Sequence, residues 1–388
     1  MRVTHVITRL IVGGAQENTV SSVLGLHEKP DLKVDLISGP TFGREGSLES
    51  RFDHAPGVLS LLPELVRPIR PVNDVQALRK LTGIFRAWRP DLVHTHSGKA
   101  GVVGRLAAAR AGVPIIVHTI HGPSFGPFQG ALANLVFRAA EQRAGHVTTH
   151  FVVVANAMTK QYLAAGIGRP EQYTRVLSGF DLAPFLNATN AATRRAALGL
   201  TPQDIVVGKI ARLVPLKGHE DLIAIARELI AAEPRLKFLL VGDGELRPRF
   251  EELAQAAGVA RHFVFTGLVA PTEVAPLVGL MDIVVHLSAR EGLPRALPQA
   301  LAAGRPVVAY DCDGAGEVCL DGQTGFLLSR GDRPSLKRRL LELAANPALR
   351  RQLGERGREL VRENFGVQRM VDDLHQLYLR LARARARL

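Results

Sequence analysis

The chain has 388 residues, 46% of them hydrophobic and 22% charged, which is typical of a globular protein with two or three domains. No apolar run approaches the ~20 residues of a membrane-spanning helix, and the N-terminus lacks the apolar core of a signal peptide. The formal net charge is +13, but only 5% of residues are aromatic and no nucleic-acid-binding module is recognised, so we expect no nucleic-acid partner.

Strand-like and helical segments alternate along the first half of the chain. Apolar segments predict strands at residues 2–8, 33–38, 91–95, 115–119 and 150–154. Helical stretches separate most of these strands, including residues 16–26, 74–87 and 101–111. Alternation of this kind favours a parallel sheet covered by helices.

A second series of the same kind follows a turn-rich segment at residues 178–193, which we interpret as the connection between domains. Its strands are predicted at residues 205–210, 237–241, 262–265, 283–287 and 307–309. The chain is therefore predicted to be an α/β protein with two Rossmann-like, doubly wound domains, at residues 1–184 and 185–365. Residues 366–388 form a final helix with Met370, Leu374, Leu377, Tyr378 and Leu381 on one side.

The positive charge is unevenly distributed. Residues 1–185 contain 20 Lys and Arg against 13 Asp and Glu, residues 186–330 contain 15 against 16, and residues 331–388 contain 14 against 7. Basic ends of this kind fit a peripheral enzyme that is attracted to anionic lipid head groups. An arginine-rich surface that is simply solvated is the alternative.

The most informative segment runs from residue 288 to residue 310. A predicted strand leads into a loop with Glu291 and Gly292, a helix of small residues follows, and Gly304 precedes the next strand. An acid and small residues at the carboxyl end of a strand are typical of sites for anionic or polyhydroxylated ligands in open α/β sheets. The alternative is an ordinary crossover in which Glu291 favours the start of the helix.

This segment resembles the signature of the retaining glycosyltransferases of the GT4 family, which have the GT-B fold. That signature is an acid, seven residues, a second acid, and a small-residue helix ending in Gly-x-Pro-Val-Val. Glu291 fills the first acidic position, whereas Gln299 stands where the family has its second glutamate. Further stretches resemble the family in the expected order: Gly13-Gly14-Ala15-Gln16, His94-Thr95-His96, His118-Thr119-Ile120-His121-Gly122, Arg212 to Gly218, Val241-Gly242-Asp243-Gly244 and Phe265-Thr266-Gly267.

The resemblance covers nearly the whole chain and implies a nucleotide-sugar donor site. Two domains then face a central cleft, with the acceptor on the first domain and the donor on the second, and the last helix packs back on the first. The implied donor-binding residues and groups are the diphosphate cations Arg212 and Lys217, the backbone of Gly14 and Gly242, the base-framing Leu268 and Val269, the sugar-binding Glu291 with the N–H groups of Gly292 and Leu293, and Gln299 at the ribose.

Two residues are the candidates for a catalytic role. His121 matches a family histidine that approaches the transferred sugar and the acceptor, and Glu291 is the acid described above. His94 and His118 are interpreted as structural, and the role of His96 is left open. No pair of carboxylates can be assigned to a hydrolase-like double displacement. The resemblance to the family implies front-face attack.

We predict neither a metal nor a cofactor. Cys312 and Cys319 are too few for a tetrahedral zinc site and fit a reducing cytoplasm. Asp311-Cys312-Asp313 has the spacing of a metal-binding Asp-x-Asp motif, but it follows a late strand, in the turn before Glu317. Activity without a divalent cation is the expectation.

The acceptor side is less defined. Residues 122–138 begin with Gly, Pro, Phe125 and Phe128 and continue as an apolar helix that carries Arg138. The segment fits a lid or a membrane-facing element, or a buried helix of the first domain. The resemblance favours acceptors that are lipid-linked or other cell-envelope glycans.

The sequence thus predicts a metal-independent retaining glycosyltransferase that moves a hexose or N-acetylhexosamine from a nucleotide-diphosphate sugar, most simply a UDP-sugar. We expect it in the cytoplasm, either free or peripheral on the inner face of the plasma membrane. The alternative is a non-catalytic protein of the same fold that binds nucleotide sugars or an anionic polymer.

Overall fold

The computed structural model describes residues 1–43, 46–96, 98–126 and 128–386. These residues form two compact units, one made of Met1–Phe180 with the chain from Phe365 onward, and one made of Asp181–Asn364. The boundary predicted after residue 184 falls inside a short helix, Ala183–Leu186, that belongs to the second unit. This helix is held in the second unit because the Arg358 guanidinium donates a hydrogen bond to the carbonyl of Leu186.

The first unit is a seven-stranded parallel sheet with helices between its strands. Its strands are Arg2–Ile7 (β1), Lys33–Ser38 (β2), Leu59–Leu61 (β3), Leu92–His96 (β4), Ile115–Ile120 (β5), His150–Val153 (β6) and Tyr173–Arg175 (β7). Its helices are Gly14–His27 (α1), Pro71–Trp88 (α2), Gly98–Ala111 (α3), Ala131–Gly145 (α4), Asn156–Ala164 (α5) and Val367–Ala386 (α14).

The strands of the first sheet lie in the order β3-β2-β1-β4-β5-β6-β7. The order reverses between β1 and β4, which makes the carboxyl end of this strand pair the topological switch point of the unit. The central strands are buried on both faces, as the apolar runs of the sequence predict.

Helix α14 belongs to the core of the first unit. Met370, Val371, Leu374, Leu377 and Tyr378 are buried among residues of β1, α1 and β5. The apolar face read from the sequence is therefore the face that packs, with Leu381 partly buried at its end. The last two residues of the predicted helix, 387 and 388, lie outside the described residues.

An ion pair is buried between α3 and α4. Arg105 and Glu141 lie 2.6 Å apart, with side chains 0% and 2% exposed. The guanidinium also donates to the carbonyl of Gly101 at 2.8 Å, so its charge is held by several acceptors. Nothing in the sequence marks this pair, because its partners are 36 residues apart.

The second unit repeats the doubly wound plan. Its strands are Ile205–Ile210 (β8), Leu236–Val241 (β9), Phe263–Phe265 (β10), Ile283–His286 (β11), Val307–Tyr310 (β12) and Gly325–Leu328 (β13). Its helices are Ala183–Leu186 (α6), Ala192–Ala197 (α7), His219–Ala232 (α8), Arg247–Ala256 (α9), Pro271–Gly279 (α10), Ala296–Ala302 (α11), Arg333–Ala345 (α12) and Pro347–Asn364 (α13). The parallel strands lie in the order β10-β9-β8-β11-β12-β13, so the switch point is between β8 and β11.

Three strands of the structure were not predicted from the sequence. β3, β7 and β13 each form an edge of a sheet and contain only three or four residues. An edge strand is covered on fewer sides, so it needs no continuous apolar run, and β3 and β7 are indeed only half-buried or exposed. No helix within the described ranges is long and apolar enough to span a membrane.

Candidate functional site

The loops at the carboxyl edge of the second sheet are bonded into one continuous rim. The loop after β8 contacts the loop after β9, because the N–H of Leu213 donates to the carbonyl of Asp243 at 2.9 Å. On its other side the same loop contacts the loop after β11, where the N–H of Ala289 donates to the carbonyl of Leu216 at 2.8 Å. The N–H of Gly314, after β12, donates to the carbonyl of Gly292 at 3.0 Å.

Lys217 and Glu291 form an ion pair at the switch point of this rim. Lys217 follows β8, Glu291 follows β11, and these two strands are neighbours in the sheet although the residues are 74 positions apart. Both side chains are mostly buried, at 19% and 23% exposure. The cation and the acid therefore neutralise one another in this structure.

The Glu291 carboxyl is held in its charged form. Burial alone would raise its pKa, but the adjacent Lys217 ammonium, with a smaller contribution from His286, keeps that pKa below the usual value. Its backbone N–H donates to the Asp313 carboxylate at 2.7 Å, which fixes the loop. The alternative that Glu291 serves a helix start is wrong, because α11 begins only at Ala296 and the dipole effect is confined to the first turn.

Backbone strain is concentrated on this rim. Leu216 and Asp313 have φ values of 69° and 49°, a left-handed conformation that is unfavourable for residues other than glycine. Both flank the Lys217–Glu291 pair: Leu216 precedes the lysine, and Asp313 binds the backbone of the acid. Strain held in place by surrounding structure is frequent at functional sites.

Two glycines of the rim are required by close packing of the backbone. Gly218 has a φ of 67°, and a Cβ atom there would lie 2.2 Å from the carbonyl oxygen of Leu287. Gly242 has a φ of 135°, and its Cβ would lie 2.2 Å from the carbonyl oxygen of Ala211. These glycines allow the loops after β8, β9 and β11 to approach one another.

Two buried polar side chains, Lys209 and His286, lie near the Lys217–Glu291 pair. Lys209, on β8, is fully buried, and its Nζ atom has no hydrogen-bond partner in the described part of the chain. Burial and the Lys217 charge lower the pKa of Lys209 to about 7, against the opposing effect of Glu291. His286 Nε2 lies 3.9 Å from the Glu291 carboxylate, too far for a hydrogen bond.

The remaining donor-binding candidates of the second unit lie along the same loops or on α11. Arg212 is exposed, and its backbone carbonyl accepts a hydrogen bond from the N–H of Val214 at 3.0 Å. Leu268 is 59% exposed after β10, with the half-buried Val269 beside it. Leu293 is buried, and Gln299 is half-buried on α11.

In the first unit, Gly14 and His121 follow β1 and β5 at the carboxyl edge of the sheet. Gly14 is exposed and is the first residue of α1. His121 is partly exposed, and its Nε2 atom lies 3.1 Å from Nδ1 of His96. Burial lowers the pKa of His121 to about 4, so this imidazole is neutral near pH 7.

A chain of hydrogen bonds continues from His121 into the core, and we call it the histidine relay. His96 Nε2 lies 2.9 Å from His5 Nδ1, and His5 Nε2 lies 3.4 Å from the Tyr378 hydroxyl. The same hydroxyl lies 2.5 Å from His94 Nδ1, whose other nitrogen lies 2.6 Å from the Thr119 hydroxyl. The members of the relay are Thr119, His94, Tyr378, His5, His96 and His121.

The structure assigns different surroundings to the histidines that lie close together in the sequence. His96, undecided from the sequence, touches His121 directly. His118 is not part of the relay, because it points to the other face of the sheet and bonds the Thr95 hydroxyl at 2.9 Å. His5 and Tyr378 were missed as partners, and only the recurrence of histidine at three neighbouring strand ends could have suggested the cluster.

His5, His94 and His96 are also close enough together to be considered as metal ligands. Each of their ring nitrogens already has a hydrogen-bond partner, and a metal would have to displace those bonds. The arrangement thus fits a hydrogen-bonded network of neutral imidazoles better than a cation site.

Helix α4 presents an exposed apolar face. Leu132, Leu135 and Val136 are 77%, 64% and 52% exposed, and their spacing puts them on one side of the helix. Arg143 continues the same side two turns later and is also exposed. The alternative of a buried helix is therefore wrong for its first half, although Phe137 packs against the core.

Two doubly wound units with polar loops at the carboxyl edges of their sheets define an α/β protein of the Rossmann-like class, in which ligands bind at the switch points. Two family models match the chain: "Glycosyl transferase 4-like domain" over residues 13–179 and "Glycosyl transferases group 1" over residues 190–360. The chain belongs to the GT4 family of glycosyltransferases, which have the GT-B fold, and its donor is a nucleotide sugar.

Individual proteins agree with this assignment. The chain is 31% identical over 302 residues to D-inositol 3-phosphate glycosyltransferase of Rhodococcus opacus, covering 74% of this chain and 67% of the relative. It is 27% identical over 322 residues to UDP-Gal:alpha-D-GlcNAc-diphosphoundecaprenol alpha-1,3-galactosyltransferase of Escherichia coli, covering 82% of both. The solved structure of Anabaena Alr3699/HepE in complex with UDP-glucose has a TM-score of 0.81 at 22% identity, covering 97% of this chain and 99% of that one.

Proposed function

We propose that this glycosyltransferase is a retaining enzyme that needs no divalent cation, takes a hexose or N-acetylhexosamine from a UDP-sugar, and adds it to a lipid-linked or other cell-envelope glycan. The observation that carries the proposal is the Lys217–Glu291 pair at the switch point of the second sheet. A diphosphate sugar supplies both partners that this pair lacks, an anion for the lysine and hydroxyl groups for the acid.

The proposed donor site uses each residue for one part of the ligand. Lys217 and the exposed Arg212 take the two phosphates, one as a point charge and one as a planar fork. Glu291 accepts hydrogen bonds from sugar hydroxyls once Lys217 turns to the phosphate. Gln299 offers the ribose one acceptor and two donors, fewer acceptor sites than a carboxylate would.

In the proposed reaction the leaving diphosphate accumulates negative charge as the bond to the anomeric carbon breaks, and Lys217 and Arg212 stabilise that charge. The acceptor hydroxyl attacks from the same face, and its proton passes to the departing phosphate oxygen. His121 lies on the first unit and orients hydroxyl groups of the sugar or the acceptor. Because its pKa is lowered to about 4, it does so as a neutral imidazole.

The choice of a UDP-sugar and a lipid-linked acceptor is supported by relatives. The E. coli relative is named for UDP-Gal and for an acceptor on diphosphoundecaprenol, and the Anabaena structure contains UDP-glucose. We propose independence from divalent cations because the cationic side chains of Lys217 and Arg212 are available to neutralise the diphosphate.

A thermal-shift experiment tests the donor. UDP-glucose, UDP-galactose or UDP-GlcNAc, with EDTA present, is expected to raise the unfolding midpoint, because a ligand at a hundred times its Kd stabilises the folded state by about 2.7 kcal/mol. The corresponding GDP- and ADP-sugars are expected to have little effect. Arg212→Ala should weaken the shift because a phosphate contact is lost, whereas Arg227→Ala, on the exposed side of α8, should keep it.

Stabilisation only when Mg²⁺ or Mn²⁺ replaces EDTA would contradict the cation-independent site. Stabilisation by a GDP- or ADP-sugar alone would reassign the base. Binding of a UDP-sugar without transfer to any glycan acceptor would favour the non-catalytic alternative. Retention is checked separately, by determining the anomeric configuration of the product by NMR.

We further propose that the enzyme binds the inner face of the plasma membrane through α4. The neighbouring apolar side chains of Leu132, Leu135 and Val136 are exposed to solvent on this helix. Two exposed arginines, Arg138 and Arg143, belong to the same helix. Apolar residues with flanking arginines are typical of helices that lie in the lipid interface. A lipid-linked acceptor would meet the first unit at that surface.

Sedimentation with vesicles tests this surface. Binding to phosphatidylglycerol vesicles is expected to exceed binding to phosphatidylcholine vesicles, and Leu132→Gln with Leu135→Gln should lower it at least about tenfold because the inserted apolar area is lost. The matched control is Ile69→Gln with Val72→Gln, two side chains of the first unit that are 64% and 68% exposed and do not belong to α4. Equal loss of binding in both double variants would show that α4 has no special part.

A further inference from the structure

The relay is built from neutral histidines, so each ring has one N–H donor and one bare nitrogen. Burial lowers the pKa of His5 to about 3 and drives those of His94 and His96 well below the usual range. Every bond between two rings must therefore run from an N–H to a bare nitrogen. Once the direction of one bond is fixed, the direction of all the bonds that follow it is fixed as well.

Tyr378 determines that direction, because its single proton can be donated to only one of two rings. The hydroxyl lies 2.5 Å from His94 Nδ1 and 3.4 Å from His5 Nε2. Hydroxyl donors make shorter hydrogen bonds than N–H donors, so the shorter contact is the one in which the tyrosine donates. A neutral ring cannot accept at both nitrogens, so His94 then carries its proton on Nε2 and donates it to the Thr119 hydroxyl at 2.6 Å.

The rest of the relay follows from this choice. The Tyr378 oxygen accepts from His5 Nε2–H, which leaves His5 Nδ1 bare. His96 donates from Nε2 to that atom, which leaves His96 Nδ1 bare in turn. His121 must then donate from Nε2 to His96, so its own Nδ1 is bare.

We infer that Tyr378 and Thr119 are positioning residues that set the tautomer of His121 through the histidine relay, leaving its Nδ1 as a hydrogen-bond acceptor. The proton of His121 is thus placed from the C-terminal helix, because Tyr378 bonds His94 and His5 and acts on His121 only through the relay. The use of this acceptor in catalysis rests on the proposed function, whereas the tautomer is a property of the free protein.

The relay can also run in the opposite direction, and this makes the inference testable. In Tyr378→Phe, His5 Nε2 loses its acceptor, and a buried N–H without a partner is more costly than a bare nitrogen without one. His5 is then expected to carry its proton on Nδ1 and donate to His96. His96 donates to His121 in turn, and the His121 proton moves to Nδ1.

Thr119→Val is expected to have the same result by a different route. Without the threonine hydroxyl, His94 Nε2 has no acceptor, so His94 takes its proton on Nδ1 and donates to Tyr378. The tyrosine proton is then free for His5 Nε2, and the relay reverses. This variant is close in size to the wild type and leaves Tyr378 in the core, so it serves if Tyr378→Phe folds poorly.

The experiment is long-range ¹H–¹⁵N NMR on protein labelled with ¹⁵N-histidine, with the His121 signals identified by their loss in His121→Gln. We expect a bare Nδ1 on His121 in the wild type and a protonated Nδ1 in both variants. Tyr173→Phe is the matched control, because this tyrosine of the same unit donates to the Ile167 carbonyl at 2.7 Å, outside the relay, and it should leave His121 unchanged.

Two results would overturn the inference: a protonated His121 Nδ1 in the wild type, or the same His121 tautomer in the wild type and both folded variants. Transferase assays then address the role of His121 separately. Thr119→Val should lower kcat by about tenfold, because one hydrogen bond that stabilises the transition state is lost. The KM for the donor should change little. A reversed tautomer with unchanged kcat would uphold the relay and contradict the proposed catalytic part of His121.

Discussion

Replacing Lys217 with methionine is expected to lower kcat by about 10²–10³, the usual effect of removing one group that stabilises a developing anion. Methionine keeps the length of the side chain and its apolar packing, so the loss can be assigned to the charge. The ammonium is at the switch point, only 19% exposed, where little water is available to replace it. Interactions in such a site are stronger than the same interactions at the surface.

The same variant should also change the pH profile. Lys217 is the main charge that holds the pKa of Glu291 below its usual value against the effect of burial. Without the lysine that pKa rises, so the acid limb of kcat/KM, which reports the free enzyme, is expected to move to higher pH. Glu291 must be ionised to accept two sugar hydroxyls, and activity should therefore be lost sooner on acidification.

Steady-state kinetics with the UDP-sugar identified by thermal shift would measure both effects. Lys237→Met is the control, since this lysine belongs to the same unit but lies at the start of β9, near the opposite edge of the sheet. Its kcat and its acid limb should match those of the wild type. A Lys217→Met enzyme with wild-type kcat would remove the lysine from the reaction and leave the ion pair a structural role alone.

Removing one member of the Arg105–Glu141 pair is expected to destabilise the first unit by about 3–5 kcal/mol, because the remaining charge is left buried without its partner. In Glu141→Gln the guanidinium keeps its hydrogen bond to the Gly101 carbonyl but loses its ion pair with the carboxylate. A loss of this size is a large part of the stability of an ordinary domain. The enzyme is expected to unfold at a clearly lower urea concentration.

Urea unfolding monitored by circular dichroism gives the comparison. The double variant Arg105→Met with Glu141→Leu should recover most of the lost stability, since apolar side chains of similar size avoid the desolvation of two ions. Glu228→Gln removes the exposed ion pair with Lys337 and should cost no more than about 1 kcal/mol. If Glu141→Gln were as stable as Glu228→Gln, the prediction that breaking the buried pair costs more stability than breaking an exposed pair would be wrong.

Local patterns in the sequence predicted most of the framework. The strand at residues 205–210 was predicted with the bounds that β8 has in the structure, and the central strands of both sheets differ from prediction by one or two residues at their ends. This works because a strand buried on both faces must be apolar throughout, whatever its neighbours are. The short edge strands β3 and β7 do not meet that condition and were not predicted, and β13 was missed although its four residues are apolar and mostly buried.

The sequence indicated the individual residues of the candidate site but not which of them are in contact. Glycine after a lysine, and an acid before small residues, indicate loops at strand ends, so Lys217, Gly218 and Glu291 could be found from sequence. Their direct contact could not, because it depends on the strand order that makes β8 and β11 neighbours. The strained backbone of Leu216 likewise has no local signal, since leucine does not favour a left-handed conformation.

The sequence by itself determined the two α/β series, the family and the loops that we propose as the ligand site, because these depend on residues close together in the chain. Only the tertiary structure decided which side chains meet. Tyr378 reaches His5 across 373 residues, and the buried Arg105 finds Glu141, because strand order and helix packing bring distant segments together. Once these groups are buried, water can no longer serve as their partner, so each must be satisfied by whatever the fold places beside it.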